Sequence, residues 1–294
     1  MTDFDKPHRM IPVTGGQLAY FRFGRGPDVV AVHGWPLHSA TWRHLVPLLE
    51  DEVTIHLFDL PSAGQTQWRG PVGFETNAAA LREAIDTLGL ERYSLLAHDS
   101  GGVVARLLAA SDPRVQGLVL AGSEIPGHHG ALLRAYLFAA KVTPLALVWS
   151  LLLRVPAIRR SNIAYGTCFE DPRYTDGDFA KLFIEPMRSP HVAKGQLRLL
   201  RSFTFDFIDQ LEDVHRRITA PTLCIWGDRD PFFPIEKARA MLPQFAGGAE
   251  LVAIPGAKLF CHEDRPDEFA THARAFLCGK HAVLRASDHG QCSA

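Results

Sequence analysis

The sequence predicts an α/β fold, a mostly parallel sheet covered by helices on both faces and interrupted by a long helical insertion. Three observations carry that prediction. Short apolar runs bounded by Gly and Pro alternate with amphipathic stretches up to residue 122, the alternation stops between residues 124 and 215, and it resumes at PTLCIWGDRD. Parallel strands need crossover helices and are buried on both faces, which produces this rhythm of continuous apolar runs.

QLAYFRFG (17–24) and DVVAVHG (28–34) read as strands, the second bounded by Gly26-Pro27 and Gly34-Trp35-Pro36. A helix over 41–50 leads to the strand VTIHLFDL. A helix over 75–89, the strand YSLLAH, the helix GGVVARLLAA and the strand VQGLVLAG follow. After the insertion, PTLCIWG is a strand, 235–245 a helix, AELVAIPG a strand and 266–278 the last helix. The core is therefore expected at 1–123 and 216–279, with a helical insertion at 124–215. The polar residues 280–294 are expected to form a disordered tail.

Of 294 residues, 47% are hydrophobic and 21% charged, the balance of an ordinary globular protein. A net charge of −1 gives no electrostatic drive towards nucleic acid or stable membrane insertion, and points to a small-molecule partner. The run VTPLALVWSLLL (142–153) falls well short of the roughly 20 residues of a spanning helix and is expected to line an apolar pocket. Cys168, Cys224, Cys261, Cys278 and Cys292 show no CxxC spacing, so they read as free, buried thiols in a reducing compartment. With an N-terminus, MTDFDKPHRM, that lacks an apolar core region, a cytoplasmic location is expected. No GxGxxG follows a strand and no HExxH occurs, so neither cofactor nor metal is expected. Monomer and homodimer remain open.

LLAHDSGGVVAR (95–106) is the stretch that suggests chemistry. A nucleophile carried on a tight strand-to-helix turn needs small residues two before and two after it, because backbone packs on backbone there. Centred on Asp99, those places are Ala97 and Gly101; centred on Ser100, His98 falls in the crowded one. Asp99 is the candidate nucleophile, and Ser100 follows it with its backbone N–H.

Together with three further motifs, this turn resembles the α/β-hydrolase superfamily, in particular its aspartate-nucleophile branch of epoxide hydrolases and haloalkane or fluoroacetate dehalogenases. His33-Gly34-Trp35-Pro36 is similar to the HGxP oxyanion loop. Phe58-Asp59-Leu60-Pro61-Ser62-Ala63-Gly64 is similar to the DLxGxG turn, and Trp226-Gly227-Asp228-Arg229-Asp230 to the loop bearing the catalytic acid. The resemblance, over about residues 8–278, implies an eight-stranded, mostly parallel sheet with the insertion as a helical cap. It implies that Asp99 displaces a leaving group at saturated carbon, that the N–H groups of Trp35 and Ser100 hold an oxyanion, and that a histidine oriented by Asp230 activates water.

The family's PGAGHF is here Pro255-Gly256-Ala257-Lys258-Leu259-Phe260, so Leu259 occupies the histidine position. His262 is the substitute base in sequence, and His33 a second. Three readings stay open: another base completes hydrolysis, Asp99 serves a non-hydrolytic cyclisation, isomerisation or elimination, or the pocket binds a ligand without turnover. Glu124, in SEIPG, is an alternative to Asp230 as the acid. His33 and Trp35 are expected around the substrate, with His33 also reading as a loop-stabilising residue. Ser100 stands where halide-holding enzymes of this branch carry Trp. Of the insertion's tyrosines, Tyr136, Tyr165 and Tyr174, Tyr165 is the first candidate to protonate an opening ring. Arg154, Arg159 and Arg160 read as a solvated face.

Overall fold

The computed structural model describes residues 4–142, 148 and 151–279. Nine strands form one sheet: β1 (Arg9–Val13), β2 (Gly16–Gly24), β3 (Asp28–Val32), β4 (Thr54–Phe58), β5 (Gln67–Trp68), β6 (Tyr93–His98), β7 (Val115–Ala121), β8 (Thr222–Gly227) and β9 (Ala249–Ile254). Eight run in the order β1-β2-β4-β3-β6-β7-β8-β9, and the two-residue β5 pairs with β2. β2 is antiparallel to β1, β4 and β5; from β4 to β9 every pairing is parallel. The sequence hid the two-residue β5 and the edge strand β1. Its Pro12 reads as a breaker, yet an edge strand tolerates Pro because one of its sides needs no ladder donor.

The helices that frame the sheet and the insertion include α1 (Val46–Leu49), α2 (Phe74–Leu88), α3 (Ser100–Ala109), α4 (Ala131–Lys141), α5 (Pro190–Ser202), α6 (Ile235–Met241) and α7 (Pro266–Leu277). Successive strand residues face opposite sides. Leu95 and Leu118 join a core with Leu81, Ile85, Val104 and Leu108, while their neighbours Leu96 and Val119 join a second with Trp42, Val46, Phe269 and Ala273. The helix expected over 41–50 is divided into a tight turn, Ser39–Trp42, and α1. Pro47 explains the division, since without an N–H it suits the first turn of a helix and not its interior.

Between β7 and β8 the described residues are helical but mostly in single turns, among them Pro156–Arg159, Tyr165–Cys168, Pro172–Thr175 and Glu185–Arg188. Proline is the first or second residue of three of these turns, which is why the sequence shows broken apolar runs there. Phe169 stacks on Phe260 at 4.8 Å, Trp35 Nε1 donates to Gln196 O at 3.0 Å, and Tyr174 Oη donates to Glu263 Oε2 at 2.9 Å. These contacts fasten the insertion to the sheet's carboxyl edge. Glu263 is in turn held by Arg43 at 2.8 Å.

Three expectations are corrected. Arg159 and Arg160 both grip Asp176 and do not form a free solvated face. Cys278 is exposed, whereas Cys168, Cys224 and Cys261 are buried; all four are free thiols. Of the apolar run 142–153, Leu153 lines the pocket as expected, but Leu151 and Leu152 face outwards. Residues 143–147, 149 and 150 of that run, Cys292 and the 280–294 tail lie outside the described residues.

Candidate active site

Register decides where the site lies. Val32 pairs with Ala97 and His98 with Ala121, so β3, β6 and β7 end side by side and the loops at 33–36, 99–100 and 122–125 converge at the sheet's carboxyl edge. Open α/β sheets place their ligands at that edge.

Asp99 is the apex of the turn from β6 into α3, with φ 51° and ψ −136°. A non-glycine residue in the left-handed region costs about 1 kcal/mol or more, so the neighbours must impose it. They do so through close backbone approach. A Cβ on Gly34 would sit 2.5 Å from Asp99 Cβ, one on Gly101 2.4 Å from His33 O, and one on Gly102 2.4 Å from Ser123 Oγ. Asp99 N donates to Gly122 O at 2.9 Å, and Gly102 N donates to Asp99 O at 2.8 Å. Ser100 is already the first helical residue, and its Oγ accepts from Trp35 N at 2.8 Å. The same Trp35 N–H lies 2.9 Å from Asp99 Oδ2.

Asp99 faces a cavity of about 120 Å³. Trp35, Leu259, Phe260, Phe232 and Phe233 line it from the sheet side. Leu133, Tyr136, Leu153, Tyr165, Cys168, Gln196, Leu200 and Phe203 line it from the insertion. Among the described residues its carboxyl groups are those of Asp99 and Glu124, and no histidine lines it. Burial, and then the negative charge of Glu124, push the Asp99 pKa well above the ordinary carboxylate range; the N–H groups of Ser100 and Trp35 oppose the shift. Glu124 is also raised by burial, against the pull of Arg106.

Arg106, on α3, is wholly buried and fixes this corner. Nε donates to Gly102 O at 2.9 Å, Nη1 to Glu124 O at 2.8 Å and Nη2 to Ser123 Oγ at 2.7 Å. His215 Nε2 lies 3.1 Å from Nη1, and its Nδ1 is 2.8 Å from Gln244 Oε1, which defines a neutral imidazole with the proton on Nδ1. Burial brings the His215 pKa down to about 3 and that of Arg106 to about 10.

Asp230 carries a fully buried carboxylate oxygen that has no hydrogen-bond partner among the described residues. Oδ1 accepts from Phe232 N at 2.8 Å and Phe233 N at 3.0 Å, whereas buried Oδ2 has no partner. Burial raises its pKa to about 7. Around a Cβ built on Gly122, Leu259 Cδ1 lies at 3.0 Å and Asp230 Oδ2 at 3.1 Å. The apolar Leu259 side chain and the partnerless carboxylate oxygen thus approach the same point beside Gly122.

The sequence candidates separate clearly. Asp99, Glu124, Trp35, Tyr165 and Leu259 line one cavity, with Asp230 behind Leu259 and Ser100 behind Trp35. His262 does not reach it. It is fully buried on the other side of His98, 4.4 Å ring to ring, with Nε2 2.8 Å from Thr41 Oγ1 and a pKa well below the usual histidine value through burial. His33 donates from Nδ1 to Gly34 O and accepts at Nε2 from Leu60 N, both at 3.0 Å, so it ties two loops together outside the main cavity. Tyr165 lines the cavity and its hydroxyl has no hydrogen bond among the described residues. Tyr136 Oη donates to Ile163 O at 3.1 Å, and Tyr174 is engaged with Glu263. Sequence reasoning missed Arg106, Ser123 and Gln196. An arginine about two helical turns after Asp99, inside the otherwise apolar run GGVVARLLAA, was the available signal for the first.

The chain matches the Alpha/beta hydrolase family over residues 29–272. It is 39% identical over 103 residues to a pimeloyl-[acyl-carrier protein] methyl ester esterase of Aeromonas hydrophila, a match covering 35% of this chain and 40% of that protein. It is 25% identical over 266 residues to haloalkane dehalogenase 2 of Mycobacterium tuberculosis, covering 87% of this chain and 89% of the relative. In structure it is similar to the ligand-free epoxide hydrolase CorEH, with a TM-score of 0.79 and 19% identity over 92% of this chain and 97% of that one, a likeness of fold. A parallel sheet that delivers a strained turn to its carboxyl edge and a match spanning most of the sequence lead to one conclusion: the chain belongs to the alpha/beta hydrolase family.

Proposed function

We propose that this protein attacks a small apolar electrophile, an epoxide first among them, with the Asp99 carboxylate, beneath a cap formed by residues 124–215. The observation that carries the reading is Asp99 itself. It is the strained apex of the turn, opens onto an apolar cavity, and has the Trp35 N–H on its Oδ2. Against Ser100 as nucleophile stand its place as the first helical residue and the Trp35 N–H that its Oγ accepts.

In the first step an Asp99 oxygen bonds to a ring carbon, the ring C–O bond breaks, and the opened oxygen takes the Tyr165 proton. In the second, water adds to the Asp99 carboxyl carbon while the Trp35 and Ser100 N–H groups hold the oxyanion. One water proton returns to Tyr165, the other leaves on the alcohol, and the carboxylate is restored. A positioned base contributes about 10²- to 10⁴-fold. With Leu259 where an imidazole would stand, ester hydrolysis is the slow step. A non-hydrolytic reaction at Asp99 is the second reading, favoured by the same leucine.

Intact-mass spectrometry and peptide mapping after incubation with terminal epoxides and 1-bromoalkanes test this. The expected result is an adduct on the Asp99 peptide, forming faster as pH rises, because burial and the Glu124 charge raise the Asp99 pKa and the attacking species is the ionised carboxylate. Asp99→Asn should form none. Product release by Asp99→Asn at the parent rate would sink the reading, and retained ligand affinity with neither adduct nor product would establish a binding role.

A further inference from the structure

We propose that the outer face of the insertion docks peripherally on an anionic lipid bilayer. All seven large hydrophobic side chains that stand exposed among the described residues fall between 138 and 163, with Phe138 at 70% and Ile163 at 64%. Exposed apolar residues are ordinary when scattered and mark an interaction surface when they cluster. Phe138 and Ile163 lie on segments that touch each other. Tyr136 Oη bonds Ile163 O, and Leu133, Tyr136 and Leu153 from the same segments line the cavity beneath.

Charge identifies the partner. Residues 125–169 contain no Asp or Glu but hold Arg134, Lys141, Arg154, Arg159 and Arg160, in a chain of net charge −1. Arg159 and Arg160 are committed to Asp176, while Arg134 and Lys141 are exposed and form no ion pair with the described residues. A second copy seated symmetrically on this face would set Arg134 and Lys141 against like charges. An anionic bilayer pairs with both charges and accepts the apolar side chains at its headgroup boundary. No helix among the described residues is long and apolar enough to cross a membrane.

Co-sedimentation of the full chain with vesicles of equal parts phosphatidylcholine and phosphatidylglycerol, against phosphatidylcholine alone, tests the proposal. Binding should favour the anionic vesicles and fall with added salt. Each cation near the surface contributes about fivefold, so Arg134→Gln with Lys141→Gln should weaken binding about 25-fold. Phe138→Asp with Ile163→Asp should abolish it, and unchanged thermal unfolding will show that these exposed substitutions leave the fold intact. No sedimentation of the parent, equal binding to both vesicles, or binding indifferent to either double variant would overturn the proposal. So would a dimer in analytical ultracentrifugation that Phe138→Asp with Ile163→Asp dissociates, without vesicle binding. The readout needs no turnover, so its failure leaves the Asp99 reading untouched, and the converse holds.

Discussion

Leu259→His should convert a stalled ester into a turning-over enzyme. The position is prepared for it: Leu259 lines the cavity with Asp99, and the partnerless Asp230 Oδ2 converges with Leu259 Cδ1 on one point at Gly122. A ring N–H at 259 would satisfy that oxygen and leave the second nitrogen facing the cavity. Losing the buried leucine costs about 1.5–3 kcal/mol, and the new hydrogen bond to a carboxylate returns about the same, so stability should change little. Activity should change much more. A general base worth about 10²- to 10⁴-fold corresponds to about 3–5 kcal/mol of barrier. The assay is the lifetime of the Asp99 adduct by quenched mass spectrometry after substrate is removed. The lifetime should shorten by that factor in Leu259→His, and the gain should largely vanish when Asp230→Asn is added. A folded Leu259→His protein with an unchanged adduct lifetime would refute the reasoning.

Three further outcomes are expected. The Asp230 folded-state pKa of about 7 lies above its ordinary 3.8, so its contribution to stability is full below about pH 4 and is lost as pH rises through 7. Asp230→Asn should therefore gain on the parent by about 2–3 kcal/mol between pH 5 and pH 8 in urea unfolding, and a pH-independent difference would contradict the burial of an unpaired charge. Tyr165→Phe should slow epoxide opening by about 10²-fold or more while sparing displacement of bromide, which needs no proton; equal loss on both substrates in single-turnover kinetics would remove Tyr165 as the acid. Gly101→Ala drives a methyl to 2.4 Å from His33 O, backbone that cannot rotate away, so thermal unfolding should show a loss of about 3 kcal/mol.

The alternation of apolar runs identified the parallel sheet, since burial on both faces leaves a strong and local signature in β4, β6 and β8. Edge strand β1 escaped because half-buried strands with Pro do not carry that signature. The elbow was legible for a related reason: a turn that brings backbone within a methyl's width of backbone admits only small residues, and Ala97, Gly101 and Gly102 mark it in one dimension. Leu259 was legible as a departure from a pattern.

What joined Asp99, Glu124 and Tyr165 around one cavity, and kept His262 out of it, was decided by tertiary structure alone. Strand register and the fastening of the insertion through Phe169, Gln196 and Tyr174 connect residues far apart in the chain. The perturbed carboxyls depend on the same long-range burial, because desolvation is a property of everything packed around a group and leaves no mark on its neighbours in sequence.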